Sequence, residues 1–160
     1  MVLAFSYKEI KSSRVTEPTA TLLVADGLCP KIRKLLSNAT VPVLWLNGVQ
    51  EPLATISDQL LERREQGQPV QTLHWVCHGS PGVLRIGEKK VDRAALLAAS
   101  NQLIDWRLDQ LALWACDYGA DHSPLSLWEE LLGASVYSSD GILGLDADGQ
   151  QNWTLHSQKR

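Results

Sequence analysis

The chain has 160 residues and a formal net charge of −3, and this length fits one globular domain with its own core. The weak acidity, without a Lys/Arg cluster interleaved with aromatics, gives no reason to expect nucleic acid or an anionic membrane as a partner. The 3 cysteines are an odd number without framework spacing. We therefore expect reduced thiols and a cytoplasmic setting rather than a disulfide scaffold.

The N-terminal stretch, residues 1–19, is mixed and polar, and we predict an arm that precedes a single domain of residues 20–160. Lys8 and Glu9 come too early for a signal peptide. No apolar run approaches the ~20 residues that a membrane helix needs. We expect no membrane partner and a cytoplasmic chain, whereas a surface or secreted location would follow if this domain belongs to a larger protein.

Short apolar runs alternate with helical patterns in the first half of the domain. They predict strands at residues 21–25 and 41–46, and helices at 29–37 and 52–65. Pro42 removes a ladder donor, so the second strand should lie at a sheet edge or begin at this proline. Pro52 suits the first turn of the longer helix.

The second half continues the alternation. It predicts strands at residues 72–77, 111–114, 135–139 and 153–156, a small hairpin over 83–91, and helices after Asp92 and from Ser123-Pro124 to Gly133. Alternation of this kind predicts a mainly parallel sheet with helices on both faces. The fold class is therefore α/β, a three-layer α/β/α sandwich with a hairpin insertion.

Two short motifs stand where two predicted strands end. His78-Gly79 follows the strand at 72–77, and Ala115-Cys116 follows the strand at 111–114. If these strands are parallel neighbours, both motifs emerge at the edge where open α/β sheets bind ligands. A thiol next to an imidazole is the minimum equipment for nucleophilic acyl transfer. The backbone amides of Gly79 and Cys116 could together donate to an oxyanion.

Each candidate also has a structural interpretation. Cys116 suits a buried, inert position at a strand end, and His78 could simply hydrogen-bond a loop. Cys77 should face away from the motif side chains, because side chains alternate along a strand, and we assign it to the core. Asp140 follows a predicted strand, where an aspartate commonly forms a turn. Asp117 could orient a substrate amine, and its charge would raise the pKa of the neighbouring thiol.

A metal site is the competing interpretation of the same region. The ligand types present are Cys77, His78, Cys116, Asp121 and His122. Their spacing matches no structural zinc motif, so we expect no metal and no cofactor. His74 and His156 are lone strand histidines, and we expect both to be half-buried or exposed.

The order of strand, His-Gly, crossover, strand and Ala-Cys resembles the caspase-like cysteine peptidase superfamily, which includes caspases, legumains, gingipains and separases. Within it, the chain is most similar to a bacterial domain family of unknown function, often found near the start of large surface adhesin-like proteins. The similar stretches are residues 73–87, 113–117, 133–140 and 152–155.

The resemblance implies that His78 is the general base or acid and that Cys116 is the nucleophile. It also implies that Asp140 borders the substrate pocket, where its charge would favour a basic substrate residue. The predicted function is a cysteine endopeptidase, self-processing or proximity-activated, acting on a peptide or protein. The alternative is a catalytically inactive module that binds a peptide in the same cleft, because a fold does not determine a function.

Overall fold

In the computed structural model, which describes residues 20–145 and 151–157, strands and helices alternate along the chain. The strands are β1 (Thr21–Asp26), β2 (Val43–Leu46), β3 (Thr72–Val76), β4 (His78–Ser80), β5 (Val83–Ile86), β6 (Lys89–Val91), β7 (Gln110–Trp114), β8 (Ser135–Ser138), β9 (Gly144–Leu145), β10 (Gln151–Asn152) and β11 (His156–Ser157). The helices are α1 (Pro30–Leu35), α2 (Pro52–Glu65), α3 (Arg93–Ala98), α4 (Ser100–Leu103) and α5 (His122–Leu132). The predicted arm, residues 1–19, lies outside the described residues.

The main sheet has six strands in the order β11-β8-β7-β3-β1-β2. Its neighbours are parallel except for β11, which runs antiparallel to β8. β2 forms the edge, as Pro42 predicts, because proline cannot donate to a ladder. The carbonyl of Pro42 still accepts a hydrogen bond from the N–H of Leu23 at 3.0 Å. The predicted α/β fold with a mainly parallel sheet is confirmed.

Two apolar clusters cover the two faces of this sheet. On the first, here called the α2 face, helices α2 to α5 pack against strand residues such as Leu22, Leu73 and Leu111. On the second, the α1 face, helix α1 packs against Leu23 and Val76 together with the C-terminal segment of the chain. Helices therefore lie on both faces as predicted, although four of the five described helices share one of them.

The predicted hairpin is a small antiparallel sheet in the order β4-β5-β6. It is larger than predicted, because His78 and the two residues that follow it form its first strand. Leu84, Ile86 and Val91 point from it into the core of the α2 face. Because these side chains are buried, they anchor the small sheet, whose first strand contains the His-Gly motif.

Several predicted element bounds differ from the structure. Helix α5 begins at His122, and its cap is Asp121, whose carboxylate accepts the N–H of Ser123 at 3.0 Å. The predicted strand at 153–156 is not continuous. The N–H of Thr154 donates to the side chain of Asn152 at 3.2 Å, and this turn diverts the backbone before β11.

Helix α1 is also shorter than predicted, Pro30–Leu35 rather than residues 29–37. The helix predicted at 52–65 is confirmed as α2. Asp92 caps α3 by accepting the N–H of Ala95 at 2.9 Å, as predicted. Within residues 20–145 and 151–157, no helix combines the length and the apolar character needed to cross a bilayer.

Candidate active site

The pairing of β3 with β7 brings the two predicted motifs to the same edge of the main sheet. Val76 pairs with Trp114 in parallel register, and the next N–H, from Cys77, donates to the carbonyl of Trp114 at 3.3 Å. His78 and Cys116 each follow this last pair by two residues. Side chains alternate between the two faces along a strand, so both positions belong to the same face as Val76 and Trp114. We call this sharing of a face the same parity. The side chains of Val76 and Trp114 pack on the α1 face.

Gly79 is where the two strand ends touch. A Cβ atom at this position would lie 2.7 Å from Cβ of Ala115 and 2.8 Å from the carbonyl oxygen of Cys116. Neither is the end of a flexible side chain, so only glycine fits without a backbone shift. The backbone that approaches Gly79 is that of the Ala-Cys motif.

The thiol of Cys116 is half-buried against the loop after β8. It accepts the N–H of Leu143 at 3.3 Å, and its Sγ lies 3.8 Å from the carbonyl oxygen of the same residue. Two further bonds join the loops, from the N–H of Asp117 to the carbonyl of Gly141 and from Gly119 to Ser139, both at 2.8 Å. Sequence reasoning missed Leu143, and its only signal was the Asp140-Gly141 turn nearby.

The imidazole of His78 is exposed and forms no hydrogen bond with another described residue. In particular, none of the hydrogen bonds among the described residues joins it to Cys116. Catalytic hydrogen bonds are often long or misaligned before substrate binds. The fold therefore brings the two strand ends together and leaves the imidazole facing solvent beside them.

Cys77 is buried on the opposite side of the strand, as predicted. Burial raises the pKa of its thiol well above the ordinary range, an effect that a hydrogen bond from the Arg85 backbone opposes and the charge of Asp26 reinforces. A thiol held protonated in this way is a poor nucleophile. The prediction that Cys77 belongs to the core is confirmed.

Asp26 is a buried carboxylate at this edge, directly after the strand predicted at residues 21–25. It is 2% exposed and is the last residue of β1, one position beyond the pair Ala25–Val76. Its Oδ1 accepts the N–H of Leu28 at 2.9 Å. The available signal was an acidic residue directly after a fully apolar run.

The two acidic candidates lie in the two loops that meet at the thiol, Asp117 directly after Cys116 and Asp140 after β8. Asp117 is half-buried and left-handed, with φ of 60°, a conformation uncommon for a residue other than glycine. Asp140 is exposed, in a turn where Ser139 Oγ bonds both the N–H and the carbonyl of Gly141 at 3.2 and 3.1 Å. The Ser139 side chain holds this turn, and Asp140 stays exposed within it.

No group of three His, Cys, Asp or Glu side chains that could hold a metal occurs in the described part of the chain. Of the ligand types considered, Cys77 lies in the core, Asp121 caps α5 and His122 is exposed in its first turn. Of these ligand types, the thiol of Cys116 and the imidazole of His78 remain at the two strand ends.

His74 lies two residues before Val76 on the α1 face and is fully buried, so the prediction of a half-buried or exposed side chain is wrong. Its Nδ1 accepts the indole N–H of Trp114 at 3.0 Å, while its Nε2 has no hydrogen-bond partner among the described residues. Burial lowers the pKa of His74 to about 3, so the ring is neutral. His156 is exposed, as predicted.

Comparison with known protein families gives a match over most of the chain. A family model described as a domain of unknown function, DUF4347, matches residues 22–160. Because the match spans most of the chain, the chain belongs to this family. This confirms the predicted membership of a domain family of unknown function. No curated protein and no solved structure matches the chain.

Proposed function

We propose that this member of the DUF4347 family is a caspase-like cysteine endopeptidase in which Cys116 is the nucleophile and His78 the acid–base group. The observation that carries the proposal is the register of β3 and β7, in which His78 and Cys116 each lie two residues past the same pair. The close packing of Gly79 on the Ala115-Cys116 backbone adds to it, because it holds the two strand ends together.

In the proposed reaction, His78 takes the proton of the Cys116 thiol and the thiolate attacks the carbonyl carbon of the scissile bond. The tetrahedral intermediate collapses, the C–N bond breaks, and the leaving amine receives the proton from the imidazolium. Water, deprotonated by the same imidazole, then hydrolyses the thioester and releases the thiol. No cofactor is required for any of these steps.

Backbone groups beside the thiol are the proposed oxyanion donors. The N–H of Cys116 donates to no carbonyl among the described residues, and Gly79 lies directly against this residue. In proteases, removing one such donor typically lowers the rate by ~10²–10³-fold. Asp117 and Asp140 border the same edge and are the proposed polar neighbours of the substrate.

A catalytically inactive module that binds a peptide at the same edge is the second candidate. The observation that favours it is the absence of a hydrogen bond between His78 and Cys116 among the described residues, since the thiol instead contacts the backbone of Leu143. Both candidates take a peptide or protein partner, and only the first one cleaves it.

Cleavage of a peptide library by the wild-type protein tests the proposal. We expect Cys116→Ala to abolish cleavage and His78→Ala to lower kcat/KM by about 10²–10⁴-fold, the usual contribution of general acid–base catalysis. His122→Ala is the matched control, because this histidine is exposed on α5 and belongs to neither motif. Mass spectrometry of the products measures each rate.

Equal cleavage by the wild type and Cys116→Ala would refute the peptidase proposal. Peptide binding without any cleavage by the wild type would support the second candidate instead.

A further inference from the structure

Three large apolar side chains are exposed at the edge that holds His78 and Cys116. They are Leu28 after β1, Val49 after β2 and Ile142 after β8, with exposed fractions of 54%, 79% and 48%. They are half of the six exposed large hydrophobic residues in the described part of the chain. We call them the apolar strip.

Two similar turns hold one end of this strip. The N–H of Leu28 donates to Asp26 Oδ1 at 2.9 Å, and the N–H of Val49 donates to Asn47 Oδ1 at 3.0 Å. The strands that carry these turns are parallel neighbours, with Asp26 paired to Leu46. Each loop therefore presents an aliphatic side chain to solvent from a backbone held by its own Asx turn.

The side chain of Leu28 is also held in place. Its Cδ1 lies 2.6 Å from the position that a Cβ would take at Gly48, and 2.8 Å from the equivalent position at Gly87. Both glycines have positive φ, 76° and 59°. Leu28 is thus seated between the β2 loop and the turn of the small sheet, with more than half of its surface open.

Ile142 marks the other end, next to the thiol. The residue after it, Leu143, donates its N–H to Cys116 Sγ at 3.3 Å. The carbonyl of Ile142 accepts the side-chain N–H of Asn152 at 3.0 Å. Its backbone is therefore anchored while its side chain stays exposed beside the proposed nucleophile.

The spacing of the strip matches an extended peptide. Strands β8, β7, β3 and β1 are successive neighbours, so the loops after β8 and β1 are three strand spacings apart. At about 4.8 Å per spacing this is roughly 14 Å, or about four residues of an extended chain. Residues i and i+4 of such a chain point to the same side.

We infer that the site prefers apolar peptides, with one large aliphatic or aromatic side chain against Ile142 and a second, four residues away, against Leu28 and Val49. This inference rests on the proposed function, because it specifies the substrate class of the same edge. The charge of Asp140 would favour basic residues in the substrate. The apolar strip instead favours hydrophobic segments.

Binding of two fluorescein-labelled peptides to the Cys116→Ala protein tests the inference. The peptides are identical ten-residue Ala/Ser/Lys sequences, one with Leu at positions i and i+4 and the other with Ser at both. Burying aliphatic surface on the strip should make the Leu peptide bind about tenfold more tightly, measured by fluorescence anisotropy. Leu28→Ser, added to this protein, should remove most of that difference.

Leu97→Ser is the matched control, because Leu97 is 50% exposed on α3, outside this edge. It should leave the tenfold difference unchanged. Equal binding of the two peptides, or equal effects of the Leu28 and Leu97 substitutions, would overturn the inference.

The two proposals fail in different ways. Cys116-dependent cleavage without the Leu preference would keep the peptidase and reject the apolar strip as its substrate site. A Leu preference without cleavage would keep the strip as a peptide site and reject the peptidase.

Discussion

Cys77 and Cys116 end neighbouring strands only one register position apart, yet their surroundings differ completely. Cys77 is buried on the α2 face, where burial raises the pKa of its thiol. Cys116 is half-buried at the sheet edge, and the N–H of Leu143 donates to its sulfur. One thiol is kept protonated by its surroundings, whereas the other is reachable from solvent.

The difference shows that side-chain parity, rather than residue type, separates a core cysteine from a candidate nucleophile. Cys77 and His78 are adjacent in the chain, but they point to opposite sides because side chains alternate along an extended strand. His78 shares its parity with Cys116. The position of His78 therefore faces the same side of the sheet as Cys116 and the opposite side from Cys77.

Thiol alkylation tests this comparison most strongly. In a Cys29→Ser background, iodoacetamide should label Cys77 at least about 100-fold more slowly than Cys116, because only the buried thiol needs local opening. Peptide mass spectrometry over a time course measures both rates. In denaturant the two cysteines should react alike. Equally fast labelling of both in the native protein would contradict the comparison.

Gly79 packs against the backbone of Ala115 and Cys116, and this contact holds the Cys116 strand end in place. Gly79→Ala should destabilise the protein by about 1–3 kcal/mol, because the new methyl group meets Ala115 and the Cys116 carbonyl at less than 3 Å. Urea unfolding measures the change. Gly141→Ala is the control, since a Cβ there has nothing within 4 Å. Equal effects of the two substitutions would show that the strand ends are not in close contact.

His74 is buried on the α1 face, whereas His78, beyond the end of the same strand, is exposed. Its pKa of about 3 in the fold lies below the ordinary 6.5, so between these values the unfolded chain binds a proton that the folded chain does not. Stability should therefore fall by up to about 1.4 kcal/mol per pH unit as the pH drops below ~6.5. Urea unfolding at about pH 7.5, 6 and 5 measures the free energy of unfolding at each pH.

His74→Asn should flatten this pH dependence, while His156→Asn, at an exposed histidine, should leave it as in the wild type. An unchanged slope in His74→Asn would show that another group causes it.

Much of the fold could be predicted from local patterns. Pro42 indicated the edge strand, and Asp92 indicated the start of α3. Gly133, which has a φ of 64°, indicated the end of α5. These features depend on a few neighbouring residues, which is why sequence suffices for them. The terminal strand could not be predicted in the same way, because the Asn152 side chain interrupts it and its partner, β8, is distant in the chain.

For the candidate site, the sequence by itself determined that His78-Gly79 and Ala115-Cys116 end two apolar strands and that Cys77 faces away. Only the tertiary structure decided what surrounds them: the backbone of Leu143 at the thiol, the buried Asp26 at the same edge, and the apolar strip. The physical reason is that strand periodicity is local, whereas these contacts join loops from separate strands. Such loops meet only when the sheet has set their order and register.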